Sequence, residues 1–226
     1  AKGGPHNPHA CRGMRIAPAV LPISQLDVAN LASIRGERVL FRDLSFSAMA
    51  GRPLCIEGAN GAGKTTLLRI LAGFLSPSAG TIRLRMKDGG GTADADLRGP
   101  YIGFIGHREA LKSQLTAREN LAFYAALYRA AGDLDAALAW AGLARVADLP
   151  AQYLSAGQKK RVGLARLRLC ARPLWLLDEP LAALDHAGKA LVTAMIAEHC
   201  AGGGIAIVAT HEGLDLDCAQ LRLGLA

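Results

Sequence analysis

The run Gly58-Ala59-Asn60-Gly61-Ala62-Gly63-Lys64-Thr65-Thr66 carries the most explicit chemistry in this chain. It fits G-x-x-x-x-G-K-[ST], a loop whose backbone N–H groups curl around phosphate. Glycines allow the curl, and the helix that starts near Lys64 adds the positive end of its dipole. In this pattern Lys64 reaches the β- and γ-phosphates of a nucleotide, and the Thr65 hydroxyl holds Mg²⁺. A second group lies far along the chain, where the apolar run Leu174–Leu177 delivers Asp178 and Glu179. Ligands bind at the carboxyl ends of strands in open α/β sheets. Asp178 is placed there for Mg²⁺, and Glu179 to orient or deprotonate an attacking water. His107 and His211 each follow a strand-like run.

The elements that must position these residues follow from periodicity. Leu54–Glu57 reads as a short strand feeding the glycine loop, and residues 64–72 as the helix after it. Pro77–Gly80 reads as a turn, Thr81–Met86 as a strand, and residues 87–96 (KDGGGTADAD) as a loop. YIGFI at 101–105 is a strand ending just before His107. The period then becomes helical. Thr116 and Glu119 form a T-x-x-E capping box, and Leu121, Tyr124, Ala125 and Tyr128 share one face. Ser155 and Gln158 open another helix in the same way. Helix is expected again over 187–200, and a buried strand over Ile205–Ala209. Strands alternating with helices predict an α/β fold with a parallel sheet.

Composition sets the outer bounds. The chain has 226 residues, 51% of them hydrophobic, enough for a sizeable core. No apolar run reaches the length of a membrane span, and no secretory leader is expected. Residues 1–22 read as a flexible leader, with Met14 a reasonable start; His6, His9 and Cys11 belong to that Pro-interrupted tail. The net charge of +7 is spread along the chain and aromatics are only 5%, so no nucleic-acid partner is expected. Five scattered cysteines without a C-x-x-C pair read as incidental thiols in a reducing compartment.

Leu154-Ser155-Ala156-Gly157-Gln158 resembles the LSGGQ signature of ABC ATPases, with Ala156 in place of a glycine. The phosphate loop, signature, acidic strand end, Leu184-Asp185 and His211 occur in that family's order, over roughly residues 24–226. The resemblance implies a P-loop NTPase core with a parallel sheet, a small antiparallel β subdomain and an inserted helical subdomain at about 110–155. One ATPase domain is then expected over 23–226. It also implies a homodimer in which two chains face head to tail. Ser155, Gly157 and Gln158 would touch ATP held by the partner, Asp185 would lie across the interface, and His211 would contact the γ-phosphate. ATP and Mg²⁺ are the implied ligands.

Two positions depart from the family pattern. His107 stands where a glutamine is usual, and Arg35 where an aromatic residue usually stacks on adenine. These departures, with GANGAGKTTLLRILAGF, IGHREALKSQLTARENLAFY and LSAGQKKRVGLARL, look like the ATP-binding subunits of bacterial cytochrome c maturation haem exporters. That likeness implies membrane-spanning partner subunits, which handle the haem, and a peripheral place on the cytoplasmic face of the inner membrane. The alternatives are the ATPase of another bacterial ABC transporter or a non-transport ABC ATPase.

Overall fold

A computed structural model describes residues 23–36, 38–88, 92–93, 99–107 and 109–224. The expected leader at 1–22 lies outside the described residues. Strands β1 (Ile23–Arg35) and β2 (Arg38–Met49) form a long antiparallel pair. Strand β4 (Ala79–Met86) lines the other edge of β1, and β5 (Thr92–Ala93) adds to β4, giving the order β2-β1-β4-β5. The loop expected over 87–96 thus contains a short strand, whose two residues find backbone partners at Leu84 and Arg85. The turn expected at Pro77–Gly80 is shorter too, since β4 starts at Ala79.

The second sheet is parallel. Strands β3 (Leu54–Glu57), β6 (Ile102–Ile105), β7 (Leu174–Asp178), β8 (Ile205–Ala209) and β9 (Ala219–Arg222) lie in the order β6-β7-β8-β3-β9. Every residue of β7 and β8 is buried, which is why both read as uninterrupted apolar runs. Helix α1 (Lys64–Leu71) packs Leu67 and Leu71 against one face, in a core shared with Leu26 of β1 and Ile207 of β8. Helix α5 (His186–Ala201) covers the other face, with Val192 and Ile196 against Val208.

A third apolar cluster belongs to α2 (Ala117–Tyr128), α3 (Leu134–Trp140) and the outer side of α4 (Ala156–Cys170), where Leu121, Leu138 and Val162 meet. Caps fix where these helices begin. Thr116 and Glu119 form a capping box on α2, Asp133 accepts two N–H bonds at the start of α3, and Ser155 with Gln158 forms the box on α4. The buried Asn120 locks the turn ahead of α2. Its Oδ1 accepts from the Lys112 N–H at 2.8 Å, and its Nδ2 donates to the carbonyls of Lys112, Leu115 and Thr116 at 2.9–3.1 Å. Among the described residues no helix is long and apolar enough to cross a membrane.

Candidate functional site: a phosphate loop and an acidic strand end

Strand β3 ends at Glu57 and the chain turns through residues 58–63 into α1. Gly58 is required at the first position. Its φ is 154°, and a Cβ there would lie 2.3 Å from the Leu223 carbonyl oxygen. Gly63 caps α1 with no side chain, so no cap group occupies the helix's first N–H donors. The Lys64 ammonium lies over the loop and donates to Gly58 O at 2.6 Å and Ala59 O at 3.3 Å.

Strand β7 places Asp178 beneath this loop, 2% exposed. The Thr65 hydroxyl lies close to its carboxylate, while its Oδ2 is buried with no partner among the described residues. Burial pushes the Asp178 carboxyl above its usual range, and the Glu179 charge adds to that; the nearby Thr65 hydroxyl and the charges of His107 and Arg69 oppose it. An unpartnered buried carboxylate oxygen beside a hydroxyl fits a hard divalent cation whose other ligands are phosphate oxygens and water. Among the described residues no group of three or more His, Cys, Asp or Glu could hold a metal alone.

Glu179 turns the chain at φ 49°, held by its N–H to the Ala209 carbonyl at 2.8 Å. Its Oε2 lies 2.8 Å from His211 Nδ1. The loop carrying His211 is braced by Thr210, which bonds both backbone groups of Glu212, and by the Lys189–Glu212 ion pair. Asn60, Gly61, Lys64, Thr65 and Thr66 share a cleft of about 280 Å³ with Asp178 and Glu179. His107 lies exposed two residues past β6, close enough to Asp178 for its charge to act there. Its segment is tied to α4. Buried Arg166 donates to Phe104 O at 2.8 Å and Glu109 O at 3.4 Å, and buried Lys160 pairs with Glu109 at 3.4 Å.

The signature residues are not brought to this cleft. Ser155 and Gln158 spend their side chains on each other's backbone at the start of α4, at 3.2 and 2.9 Å. Gly157 packs against the turn after Glu179, where a Cβ would lie 2.9 Å from Ala183 O. Ala156 is exposed, so its methyl group meets solvent within this chain. Asp185 caps α5 through the Gly188 N–H at 2.9 Å and pairs with Arg161 at 2.7 Å, joining α4 to α5. The Gly188 bond leads in holding its carboxyl below the usual range. Arg35 stands exposed at the end of β1.

Sequence reasoning missed what the β1–β2 hairpin does at the loop. Arg38, across the turn from Arg35, donates to Gly61 O at 3.3 Å. Leu40 lines the cleft, and Phe41 packs beside Gly63. The one available signal was the placement of these residues directly after a turn in a long hairpin.

The fold and the site together define an ABC ATPase domain. The family model "ABC transporter" matches residues 41–182. The chain belongs to the ABC transporter family, as an ATP-binding and ATP-hydrolysing subunit. Its similarity within that family is to proteins named cytochrome c biogenesis ATP-binding export protein CcmA. The one from Rhodopseudomonas palustris (strain BisB5) is 46% identical, over 87% of this chain and 96% of its own length. The one from Vibrio cholerae is 45% identical, over 87% and 96%. Among solved structures, a dimeric ATP-binding cassette in a post-hydrolysis state with ADP and Pi matches at TM-score 0.70. It is 25% identical and covers 83% of this chain and 88% of that one.

Proposed function

We propose that this chain is the ATPase of a cytochrome c biogenesis export complex, with haem as the material handled by its membrane-spanning partners. It works at the cytoplasmic face of the inner membrane as a homodimer. Two ATP molecules are held between facing copies. The observation that carries this reading is a split site. One cleft gathers Lys64, Thr65, Asp178 and Glu179, while the capped start of α4 lies outside it. A helix start is an anion site, and two-fold pairing lets each copy lend that end to its neighbour's ATP. The relatives' printed names and the dimeric cassette support the partner and the pairing.

In this reading residues 58–66 cradle the triphosphate and Lys64 exchanges its loop carbonyls for phosphate oxygens. Thr65 and Asp178 would hold Mg²⁺, which supplies charge neutralisation on the phosphates. Glu179 orients the attacking water and takes its proton. His211, bonded to Glu179, holds that carboxylate in place and faces the γ-phosphate. Ser155, Gly157 and Gln158 contact the partner's ATP, and Asp185 lies at the interface. His107 relays contact with the membrane subunits to the Asp178 end of the site.

Glu179→Gln tests the assignment. The amide keeps the hydrogen bond to His211 but cannot take a proton. Turnover should fall by roughly 10²–10⁴-fold, while ATP binding persists and the dimer accumulates in gel filtration with Mg²⁺ and ATP. Hydrolysis at the parent rate removes the role given to Glu179. Co-purification of membrane subunits from native membranes tests the export assignment separately.

A further inference from the structure

Two of the cysteines, far apart in sequence, meet in the fold. Cys55 lies in β3, 4% exposed, and Cys218 lies just ahead of β9, partly exposed. Their sulfurs are 2.7 Å apart. A disulfide needs roughly 2.05 Å, so a small side-chain movement closes the gap. β3 and β9 are hydrogen-bonded neighbours, with Cys55 opposite Gln220 and Cys218 just ahead of the paired stretch, which keeps the two cysteines beside each other. Both thiols open on a cleft of about 310 Å³ that Gly58 and His211 also line, which gives a small reagent a way in.

We infer that Cys55 and Cys218 form a redox-active dithiol that exchanges with small-molecule disulfides of the glutathione type. The Cys218 thiolate, the more exposed of the two, attacks one sulfur of the small disulfide. One small thiolate leaves and a mixed disulfide forms on Cys218. The Cys55 sulfur then displaces the second small thiolate from Cys218, and the Cys55 proton goes to it. Two protein thiols are oxidised and one small disulfide is reduced to two thiols. Burial, with Cys218 close by, pushes the Cys55 thiol well above the usual range, which suits it to the second step rather than the first.

The bridge touches the ATP site from behind. Cys55 is three residues before Gly58, and the Cys218 side continues through β9 to Leu223, whose carbonyl abuts Gly58. The bridge also pins the far end of the segment that leads from His211 to β9. Oxidation is therefore expected to slow turnover. That part rests on the proposed function; the thiol chemistry does not.

The test uses the full-length chain, incubated with oxidised glutathione, mapped as non-reduced peptides, and assayed for ATP turnover before and after dithiothreitol. The expected result is a Cys55–Cys218 linked peptide with a loss of turnover that dithiothreitol reverses. Cys218→Ser and Cys218→Ala, once shown folded by circular dichroism, should keep the parent's reduced-state turnover and lose none on oxidation. No linked peptide while other cysteines become glutathionylated overturns the inference. So does an equal oxidative loss of turnover in the Cys218 variants. A reduced parent without turnover would count against the ATPase roles proposed above, and the peptide map would still decide the dithiol.

Discussion

Replacing Asn120 by alanine tests whether one buried carboxamide holds the helical subdomain to the segment that carries His107. Asn120 is fully buried; its oxygen accepts one backbone N–H, and its nitrogen faces three carbonyls with two hydrogens to share. Asn120→Ala removes about three hydrogen-bond equivalents at roughly 1 kcal/mol each. Lys112 is exposed, so water can reach its freed N–H and the larger penalty of an orphaned donor is avoided. The expected loss is about 3 kcal/mol. With a urea slope of about 2 kcal/mol/M, the unfolding midpoint drops by roughly 1.5 M. Fluorescence can follow this from Trp140 beside the helical cluster and Trp175 in the sheet. Asn120→Asp keeps an acceptor for Lys112 but aims a carboxylate at three carbonyl oxygens. At neutral pH it should destabilise at least as much, and it should recover at acid pH, where a protonated carboxyl can donate. A midpoint shift for Asn120→Ala below about 0.3 M, or less than roughly 0.6 kcal/mol, would refute the view that this side chain locks the turn.

Three further outcomes follow from the same structure. His199 stacks on Trp175 at 3.7 Å, and burial lowers its pKa to about 4. The folded chain keeps it neutral while the unfolded chain protonates it below its ordinary 6.5, so stability is lost as pH falls from 7 towards 4. That loss is about 3 kcal/mol, and thermal melts of His199→Phe across this range should show a flatter profile. Gly58→Ala sets a methyl group against the Leu223 carbonyl and should cost roughly 2–3 kcal/mol; an unchanged melting temperature would count against that close approach. Ser155→Ala removes a capping bond worth about 1 kcal/mol, or roughly 2–4 °C in Tm, whatever it does to ATP turnover.

The parts of the fold that could be read from sequence are those whose cause is local. Thr116 with Glu119, and Ser155 with Gln158, announce helix starts because each box closes within four residues. Strands β7 and β8 announce themselves because burial on both faces demands unbroken apolar runs. Strand β9 was not anticipated, because its four residues alternate between partial burial and exposure and its order comes from pairing with β3. Residues 58–66, Asp178 and Glu179 were singled out from motif and context, and the fold gathers them at one cleft. The Arg38–Gly61 contact and the Cys55–Cys218 pair depend on residues distant along the chain, and no short pattern encodes them.

Strand β3 has a consequence for how this protein is made. It sits between β8 and β9, and Ile56 finds its partner Ala209 about 150 residues later. Synthesis runs from the N-terminus, and non-local pairing forms slowly. The ribosome therefore releases the glycine-rich arch more than a hundred residues before Asp178 and Glu179, so the phosphate site is completed late. Until the last strands emerge, an apolar strand lies bare on both edges, which makes the nascent chain a natural client for chaperones.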